Sequence, residues 1–474
     1  MTTKTLAPPT GTVEPPARTW PWLLFVGIGA LVVSLASSLL IPVLATLPAE
    51  LDTSADTVQW LLTSTLLVSA VAVPLFGRLG DMFGTRRMLL VALGTLVVGS
   101  LVTATSTNVA VLIAGRAIQG LSSAAVPLGI GLLSALLPRE RAGGAIALIS
   151  AMLGVGGALG LPFAGIIAEH FDFHALFWIT GAAAVVAFVG ILVVVPESPV
   201  RTGGRVDLVG GGLLAATLVS LLLPLAEGSD WGWGSARTIG LLALAVVLLG
   251  VFGWSQTRIA QPLVDLATLR RGPMVLTNVA TLFFGFALFA SLIGTASYVQ
   301  APESSGYGFG SSIIVGGLAM LPGGLCMLVF APISARLIAR RGPSRVLALG
   351  GVIVALGWVA RIVFTGSLTQ VILGATVVGI GTSIGYAAMP SLINRFTPRG
   401  EIAAANGLNM LIRSVGSSLA SAIGGSLLAA ITISVGAYAV PSLTAYRILF
   451  VICAVAALLA ATAALFIPDG TDED

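Results

Sequence analysis

The chain of 474 residues carries only 23 Lys and Arg and 19 Asp and Glu, so 9% of the sequence is charged. Soluble domains carry about 25% charged residues, whereas this chain is 57% hydrophobic with a mean hydropathy of +1.04. So few charges could not cover a soluble surface. The composition excludes a cytosolic enzyme, a nucleic-acid-binding protein and a disordered scaffold, and leaves a membrane protein.

Apolar runs of about the 20 residues that a helix needs to cross a bilayer follow one another along the chain. The first follows a polar, Pro-rich segment and is too long for the core of a signal peptide. The runs are continuous rather than alternating, which indicates helices and not a barrel. They predict fourteen spans, at 21–47, 57–77, 88–106, 109–137, 143–168, 175–195, 208–226, 237–257, 273–300, 310–334, 346–366, 369–396, 402–430 and 444–467.

The distribution of Lys and Arg predicts the orientation. If both termini are cytoplasmic, 18 of the 23 basic residues lie on the cytoplasmic side and Arg237 alone lies in an outer loop. The remaining four, Arg116, Arg361, Arg413 and Arg447, fall within spans. We therefore expect a multi-pass protein of the plasma membrane with an even number of spans and both termini in the cytoplasm.

The sequence repeats itself at an offset of about 260 residues, which indicates two copies of one structural unit. Residues 74–84 match 332–342, with Ala339 in the place of Asp81. Two six-helix halves predict a pseudo-symmetric transporter with its site between them. The predicted divisions are a cytoplasmic tail at 1–20, an N-terminal bundle at 21–195, a linker with two additional spans at 196–272, a C-terminal bundle at 273–467 and a tail at 468–474.

The loop predicted between spans 2 and 3 is rich in glycine and charge. The glycines let helices approach closely, and Asp81 could sit against a helix N-terminus or an arginine of the other half. Such a contact would stabilise an outward-facing state and break when the protein opens inward. The segment resembles the loop motif of the major facilitator superfamily. The alternative interpretation is a generic basic cytoplasmic loop. The residues that carry it are Gly77, Arg78, Gly80, Asp81, Gly84, Arg86 and Arg87.

Spans 4 and 5 resemble two further motifs of that superfamily. In span 4, Arg116 and Gln119 share one face, and the resemblance implies that the arginine takes part in proton coupling; the alternative is an arginine that snorkels to the outer surface. Span 5 is similar to the antiporter motif of proton-coupled exporters, although its glycines could serve packing alone. Its residues are Gly156, Gly160, Pro162 and Gly165.

Fourteen spans with these motifs resemble the fourteen-helix drug:proton antiporter family. The resemblance implies an all-α major facilitator fold and proton-coupled multidrug efflux by alternating access, a basis of antibiotic resistance. The alternatives are an exporter of one neutral or anionic metabolite, or a uniporter without protons. We expect a monomer that is not an enzyme and that binds a small molecule and protons. Two histidines and two cysteines without ligand spacing predict no metal site and no cofactor.

Span 1 departs from that family, because no acid stands where the family usually has an Asp. A cation that crosses the bilayer centre needs a counter-charge, so we expect a neutral or anionic substrate. Glu50, Asp52 and Glu227, placed at outer ends or loops, are the candidates for a proton carrier. Polar, aromatic and soft apolar residues within spans are candidates for the substrate cavity, and the alternative for each is a packing role. They are Asn278, Tyr298, Gln300, Tyr386, Met389, Asn409 and Arg413. For Arg413 the alternative is pairing with backbone carbonyls or Ser417.

Overall fold

The structure is a computed structural model of the chain. It describes residues 19–468 except 41–42, 45–46, 200, 202, 204–206, 260–261 and 436–437. Lys4, Arg18 and Arg205, which count toward the predicted cytoplasmic charges, therefore lie outside the described residues, as does most of each predicted tail. Within the described residues, fourteen helical segments are long and apolar enough to cross a membrane.

The elements follow one another as helices with short links. The first half of the chain contains α1 (Trp20–Ser38), α2 (Leu47–Glu50), α3 (Ala55–Phe83), α4 (Thr85–Ala104), α5 (Val109–Gly120), α6 (Ala125–Leu136), α7 (Arg139–His170), α8 (His174–Val194), α9 (Leu208–Trp231) and α10 (Ala236–Gln256). The second half contains α11 (Leu266–Leu269), α12 (Gly272–Gln300), α13 (Ile313–Leu318), α14 (Leu321–Arg341), α15 (Pro343–Val363), α16 (Leu368–Phe396), α17 (Ile402–Ala430), β1 (Thr432–Val435), β2 (Tyr438–Pro441) and α18 (Leu443–Leu465).

Two predicted boundaries are wrong in ways that matter for the site. The segment after span 2 is not a loop, because α3 continues to Phe83 and only Gly84, with φ +117°, separates it from α4. Helix α9 continues past the predicted end of span 7 to Trp231, although Pro224 lies inside it. Asp81 and Glu227 therefore lie inside helices, and both are buried.

Other spans are interrupted. The first helix ends at Ser38, well before the predicted 47. The predicted span 4 is divided by a 3₁₀ turn at Leu121–Ala124, and span 10 consists of α13 and α14. Strands β1 and β2 form an antiparallel hairpin between α17 and α18 that the search for spans did not predict. The β-branched run 431–435 is the sequence signal for it.

The helices form two packed groups with the additional pair beside them. One hydrophobic core is built almost wholly from residues 280–467 and a second from residues 22–195. Helices α9 and α10 pack on α3 and α17 through a smaller cluster that includes Leu218, Leu222 and Leu411. The exposed apolar residues of α10, such as Val246 and Trp254, face outward as expected toward lipid. The domain boundaries around residues 196 and 272 stay predictions.

The two groups meet along two helix pairs, α3 with α17 and α7 with α14. The repeat relates span 2 (α3) to span 10 (α13 and α14), and span 5 (α7) to span 13 (α17). The two helix pairs are therefore equivalent under the pseudo-symmetry that relates the halves. The pairs approach closely through glycine. A Cβ on Gly77 would lie 2.7 Å from the carbonyl oxygen of Ala403, and one on Gly324 would lie 2.2 Å from the Cβ of Ala158. Small residues allow such backbone contact between membrane helices.

Glycine also sets the packing inside the C-terminal group, and this can be tested at Gly350. A Cβ there would lie 2.8 Å from the backbone nitrogen of Gly385 on α16. Overpacking of this kind costs about 1–3 kcal/mol, more than the roughly 1 kcal/mol that Ala gains over Gly in a helix. We expect Gly350→Ala to lower the melting temperature of the detergent-solubilised protein. The control is Gly250→Ala on α10, where a Cβ meets nothing within 4 Å and stability should be unchanged or higher. Equal melting temperatures for the two variants would contradict this packing.

Candidate functional site

Asp81 joins the two halves at one end of the molecule, called the inner side below. Its Oδ1 accepts a hydrogen bond from the N–H of Ala403 at 3.2 Å, and its Oδ2 accepts one from the N–H of Ala404 at 2.8 Å. These N–H groups belong to the first turn of α17 and have no partner within their own helix, and the helix dipole favours a negative charge there. Of the two partners expected for Asp81, the structure provides the helix N-terminus. This contact is called the inner latch.

Glu197 makes a similar contact within the N-terminal group. Its carboxylate accepts hydrogen bonds from the N–H groups of Arg86 at 2.9 Å and Arg87 at 3.3 Å, in the first turn of α4. A Cβ on Gly84 would lie 2.9 Å from that carboxylate, so the one-residue link requires glycine for space as well as for its positive φ. Sequence reasoning missed Glu197. The available signal was an acid two residues after the predicted end of span 6, on the same side as the start of span 3.

A pocket of about 400 Å³ lies beside the inner latch. Its wall includes Arg78 of the loop motif, the start of α17 and the segment that leads into α11. Burial raises the pKa of Glu401 above its usual value, and the nearby Asp265 adds to this effect. The lining residues are Arg78, Gly203, Pro262, Leu263, Val264, Asp265, Thr268, Leu269, Met274, Thr397, Glu401, Ala404, Ala405 and Leu408. The linker after α10 therefore covers the inner end of the pair α3 and α17.

Arg116 is held deep inside the N-terminal group. It is 2% exposed, and its guanidinium donates to the carbonyl oxygens of Leu61 at 3.2 Å and Ala36 at 3.1 Å and to Oε1 of Gln119 at 2.9 Å. Gln119 in turn donates to Ser100 at 2.8 Å. The alternative of an arginine that snorkels to the surface is therefore wrong. The arginine links α1, α3 and α5, and Gln119 extends the link to α4.

The span 5 motif has two faces. Gly156 and Gly160 pack on α1, where a Cβ on Gly156 would lie 2.5 Å from the carbonyl oxygen of Leu31. Farther along α7, Pro162 and Gly165 contact the other half at α13. A Cβ on Gly317 would lie 2.7 Å from the backbone nitrogen of Pro162. The motif therefore joins α7 tightly to its own half at one end and to the opposite half at the other.

A cavity of about 310 Å³ lies between the halves on the side away from the inner latch, and is called the outer chamber. Hydroxyl groups and apolar side chains share its wall. Both halves and the additional helix α9 contribute to it, through Ser37, Gln59, Leu62, Thr63, Thr65, Leu66, Ser69, Arg116, Leu225, Ala226, Phe289, Ser417, Ser418 and Ser421. Arg116 thus faces the chamber as well as its carbonyl partners.

The three candidate proton carriers differ in their surroundings. Glu50 and Asp52 are exposed near the start of α3. Glu227 is 7% exposed and accepts a hydrogen bond from Thr63, whose hydroxyl lies 2.9 Å from its Oε1. Because Thr63 lines the outer chamber, Glu227 lies directly behind the chamber wall. The structure thus distinguishes one buried carboxyl from two exposed ones.

Arg413 and two asparagines lie at a small cavity of about 20 Å³ near the middle of the interface, called the central cavity. The guanidinium carbon of Arg413 is 4.9 Å from the ring centre of Tyr386. Asn409 donates to Asn278 at 2.9 Å and to Thr281 at 2.8 Å, which ties α17 to α12. The lining residues are Val126, Pro127, Ile130, Ser150, Leu153, Pro390, Asn406, Asn409, Met410 and Arg413.

The remaining cavity candidates lie outside the linings of the cavities described above and make packing contacts, and their assignment to the substrate cavity stays a prediction. Tyr298 is 1% exposed and lies in an aromatic cluster, with its ring centre 5.0 Å from that of Tyr446. Met389 is 2% exposed within the C-terminal core. Gln300 donates to the carbonyl oxygen of Ala296, one turn earlier in the same helix. Spacing along a helix could not separate these residues from those at the interface.

Comparison with known proteins agrees with this geometry. The chain is 30% identical to the tetracenomycin C resistance and export protein of Streptomyces glaucescens, over 90% of this chain and 80% of that protein. It is 26% identical to the multidrug resistance protein Stp of Mycobacterium tuberculosis, over 86% and 75%. It is 28% identical to the lincomycin resistance protein LmrB of Listeria monocytogenes, over 73% and 74%.

The fold itself is found among solved structures. The human organic anion transporter MFSD10 superposes with a TM-score of 0.66 at 16% identity, over 95% of this chain and all of the other, which shows a shared fold. The family model of the Major Facilitator Superfamily matches residues 26–324 and 282–474. With fourteen spans in two bundles and an additional pair, the chain belongs to the Major Facilitator Superfamily.

Proposed function

We propose that this protein exports amphipathic small molecules from the cell by alternating access, driven by protons. The inner latch is the observation that carries the proposal. It closes the inner ends of α3 and α17, while the outer chamber, lined by both halves and by α9, lies on the opposite side. The relatives named for antibiotic and multidrug resistance support the substrate class. The orientation with cytoplasmic termini, in the cell membrane, remains part of this proposal.

Opening toward the inner side requires the latch to break. Asp81 would then lose two hydrogen bonds from α17, and hydrogen bonds to a charged group contribute about 1.5–3 kcal/mol each. The equivalent position in the second half is Ala339, so no such contact is provided there by the repeat. The contact between the halves through Asp81 therefore has no acidic counterpart at the equivalent position of the second half. A loss of a few kcal/mol is enough to shift a two-state equilibrium by orders of magnitude.

Glu227 is the best placed proton carrier among the described acids. It is buried and reaches the chamber wall through Thr63. On the helices that pack against α9, Asp56 at the start of α3 and Arg237 at the start of α10 lie farther toward the outer end. Arg78 and Asp81 of α3 and Arg413 of α17 lie farther toward the inner side, and α17 carries no charged residue between 414 and 430. Asp230 on α9 is exposed. Gain or loss of a proton at Glu227 therefore changes the charge behind the wall of a chamber whose lining contains one cation, Arg116.

The role of the latch can be tested with Asp81→Asn. An amide can accept from one of the two N–H groups but opposes the other with its own donors, so we expect the inner ends to separate more often. The measurement is maleimide labelling of Ser134→Cys, in a background with Cys326 and Cys453 changed to Ala. Ser134 lies at the inner interface, where it accepts from Asn394 of the other half at 3.0 Å. Labelling should rise several-fold, with slower drug efflux.

Glu197→Gln is the matched control for the latch, because it weakens a similar cap within a single half. It should reduce stability without raising the labelling of Ser134→Cys. Wild-type labelling and efflux in Asp81→Asn would show that this contact does not hold the inner side closed.

The proton carrier can be tested with Glu227→Gln, which keeps an acceptor for Thr63 but cannot titrate. In inverted vesicles with an acidic interior, we expect pH-driven uptake of a drug to fall at least about tenfold, the loss typical of a group that takes part directly in proton transfer. Exchange of labelled for unlabelled drug without a pH gradient should remain. Glu50→Gln, at an exposed acid, should behave like the wild type. Uptake by Glu227→Gln that matches the wild type and collapses with an uncoupler would exclude Glu227 as the carrier.

A further inference from the structure

Arg413 lies in the middle of a membrane span, and its guanidinium has no hydrogen-bond partner among the residues that the structure describes. It is residue 12 of the 29 in α17, about 18 Å along the helix at 1.5 Å per residue. Among the described residues, no side chain or carbonyl accepts from its guanidinium, which rests only on the ring of Tyr386. The alternative, pairing with backbone carbonyls or Ser417, is not seen among the described residues, where the Ser417 hydroxyl donates to the carbonyl oxygens of Arg413 and Gly285. All five N–H donors of the guanidinium are thus available.

Two other arginines within spans, Arg116 and Arg361, have surroundings typical of a structural role. Arg116 donates three hydrogen bonds to neighbouring groups. Arg361 is 1% exposed, donates to Ser291 at 3.3 Å and lies within 4.6 Å of the ring centres of both Trp358 and Phe450. Arg413 instead borders the central cavity. A charge in a span is costly and is retained where it faces a cavity or a partner.

The position of Arg413 connects both cavities between the halves. Its side chain lines the central cavity, and Ser417, one helical turn farther along α17, lines the outer chamber. Neither lining contains an Asp or a Glu, whereas each contains an arginine. A low-dielectric route lined by one sign of charge concentrates ligands of the opposite sign. Glu227 lies behind the chamber wall and not in either lining, so the charged side chains that line the two cavities favour an anion over a permanent cation.

We propose that Arg413 is the anion-binding group of the substrate site and that the substrate is an amphipathic organic anion, with a carboxylate or an ionised phenol. This inference rests on the proposed transport function. The planar guanidinium can donate two parallel hydrogen bonds to such a group, and the ring of Tyr386 lies beside it, 4.9 Å from the guanidinium carbon. The apolar body would lie against neighbouring side chains such as Ile130, Leu153 and Met410.

The size of the central cavity determines when the anion binds. A volume of about 20 Å³ cannot hold a drug-sized molecule, whose pockets measure about 300–1,000 Å³. The cavity must widen before the apolar body can enter beside Arg413. Since the inner latch closes the halves on that side, the anion binds when the latch is open and is released toward the outer chamber when it closes.

The test compares two xanthene dyes of opposite charge, fluorescein as the anion and pyronin Y as the cation. Binding is measured by fluorescence anisotropy on the purified full chain in detergent, at neutral pH. We expect fluorescein to bind the wild type more tightly than pyronin Y does, and Arg413→Gln to weaken fluorescein binding by about tenfold or more, the loss expected for charge-assisted hydrogen bonds. Arg413→Lys keeps the charge and should retain part of the affinity. Pyronin Y binding should not weaken in either variant.

Folding is controlled within the same experiment. Because the guanidinium makes no hydrogen bond within the described part of the chain, Arg413→Gln should melt close to the wild-type temperature. The binding of pyronin Y to the same sample provides a second check. Fluorescein that fails to bind the wild type, or that binds Arg413→Gln as tightly, would overturn the inference.

Vesicle transport then separates this inference from the proposed function. Arg413-dependent binding of fluorescein without pH-driven uptake would support the anion site and contradict proton-driven export. Proton-driven uptake of pyronin Y that exceeds uptake of fluorescein and is unaffected by Arg413→Gln would support export and reject the anion site.

Discussion

The contact between Asp81 and the first turn of α17 is the interaction on which the described arrangement depends. A buried carboxylate is stable only when its lone pairs are satisfied, and here the free N–H groups of a helix in the opposite half satisfy them. Gly77 makes the approach possible, because any side chain there would meet the backbone of Ala403. The same contact that satisfies a charge thus joins the halves on the inner side, and the outer chamber lies between them on the opposite side.

The arginines within the spans show how one residue type takes different roles in a low-dielectric interior. Arg116 is satisfied by carbonyl oxygens that α1 and α3 expose toward it. Arg361 is enclosed by aromatic rings in the C-terminal core. Arg413 is supported by one ring and is otherwise open to the interface. A fixed cation can bind a ligand where its hydrogen bonds are incomplete and a cavity adjoins it, as at Arg413.

The additional helices are more than a spacer between the bundles. Helix α9 packs on α3 and α17, the pair that the inner latch joins, and brings Glu227 to Thr63 on the chamber wall. Span 1 carries no acid. Glu227 brings a carboxyl to the chamber wall from α9, a helix outside the two six-helix repeats. Helix α10 meanwhile exposes apolar residues such as Val246 outward. Helix α9 therefore contributes to the chamber wall, whereas α10 presents apolar residues outward.

The sequence by itself determined the number of spans, the repeat and the motifs, because transfer of apolar residues into lipid and the glycine requirement of close helix contacts act residue by residue. It placed Asp81 and Glu227 beyond the ends of their helices, although both lie inside them, since helix ends depend on the groups that satisfy them. It also could not separate Tyr298, which packs in the core, from Arg413, which faces the interface, since both stand in apolar helices. Only the tertiary structure decided which buried charges are satisfied, because their partners lie more than 50 positions away along the chain.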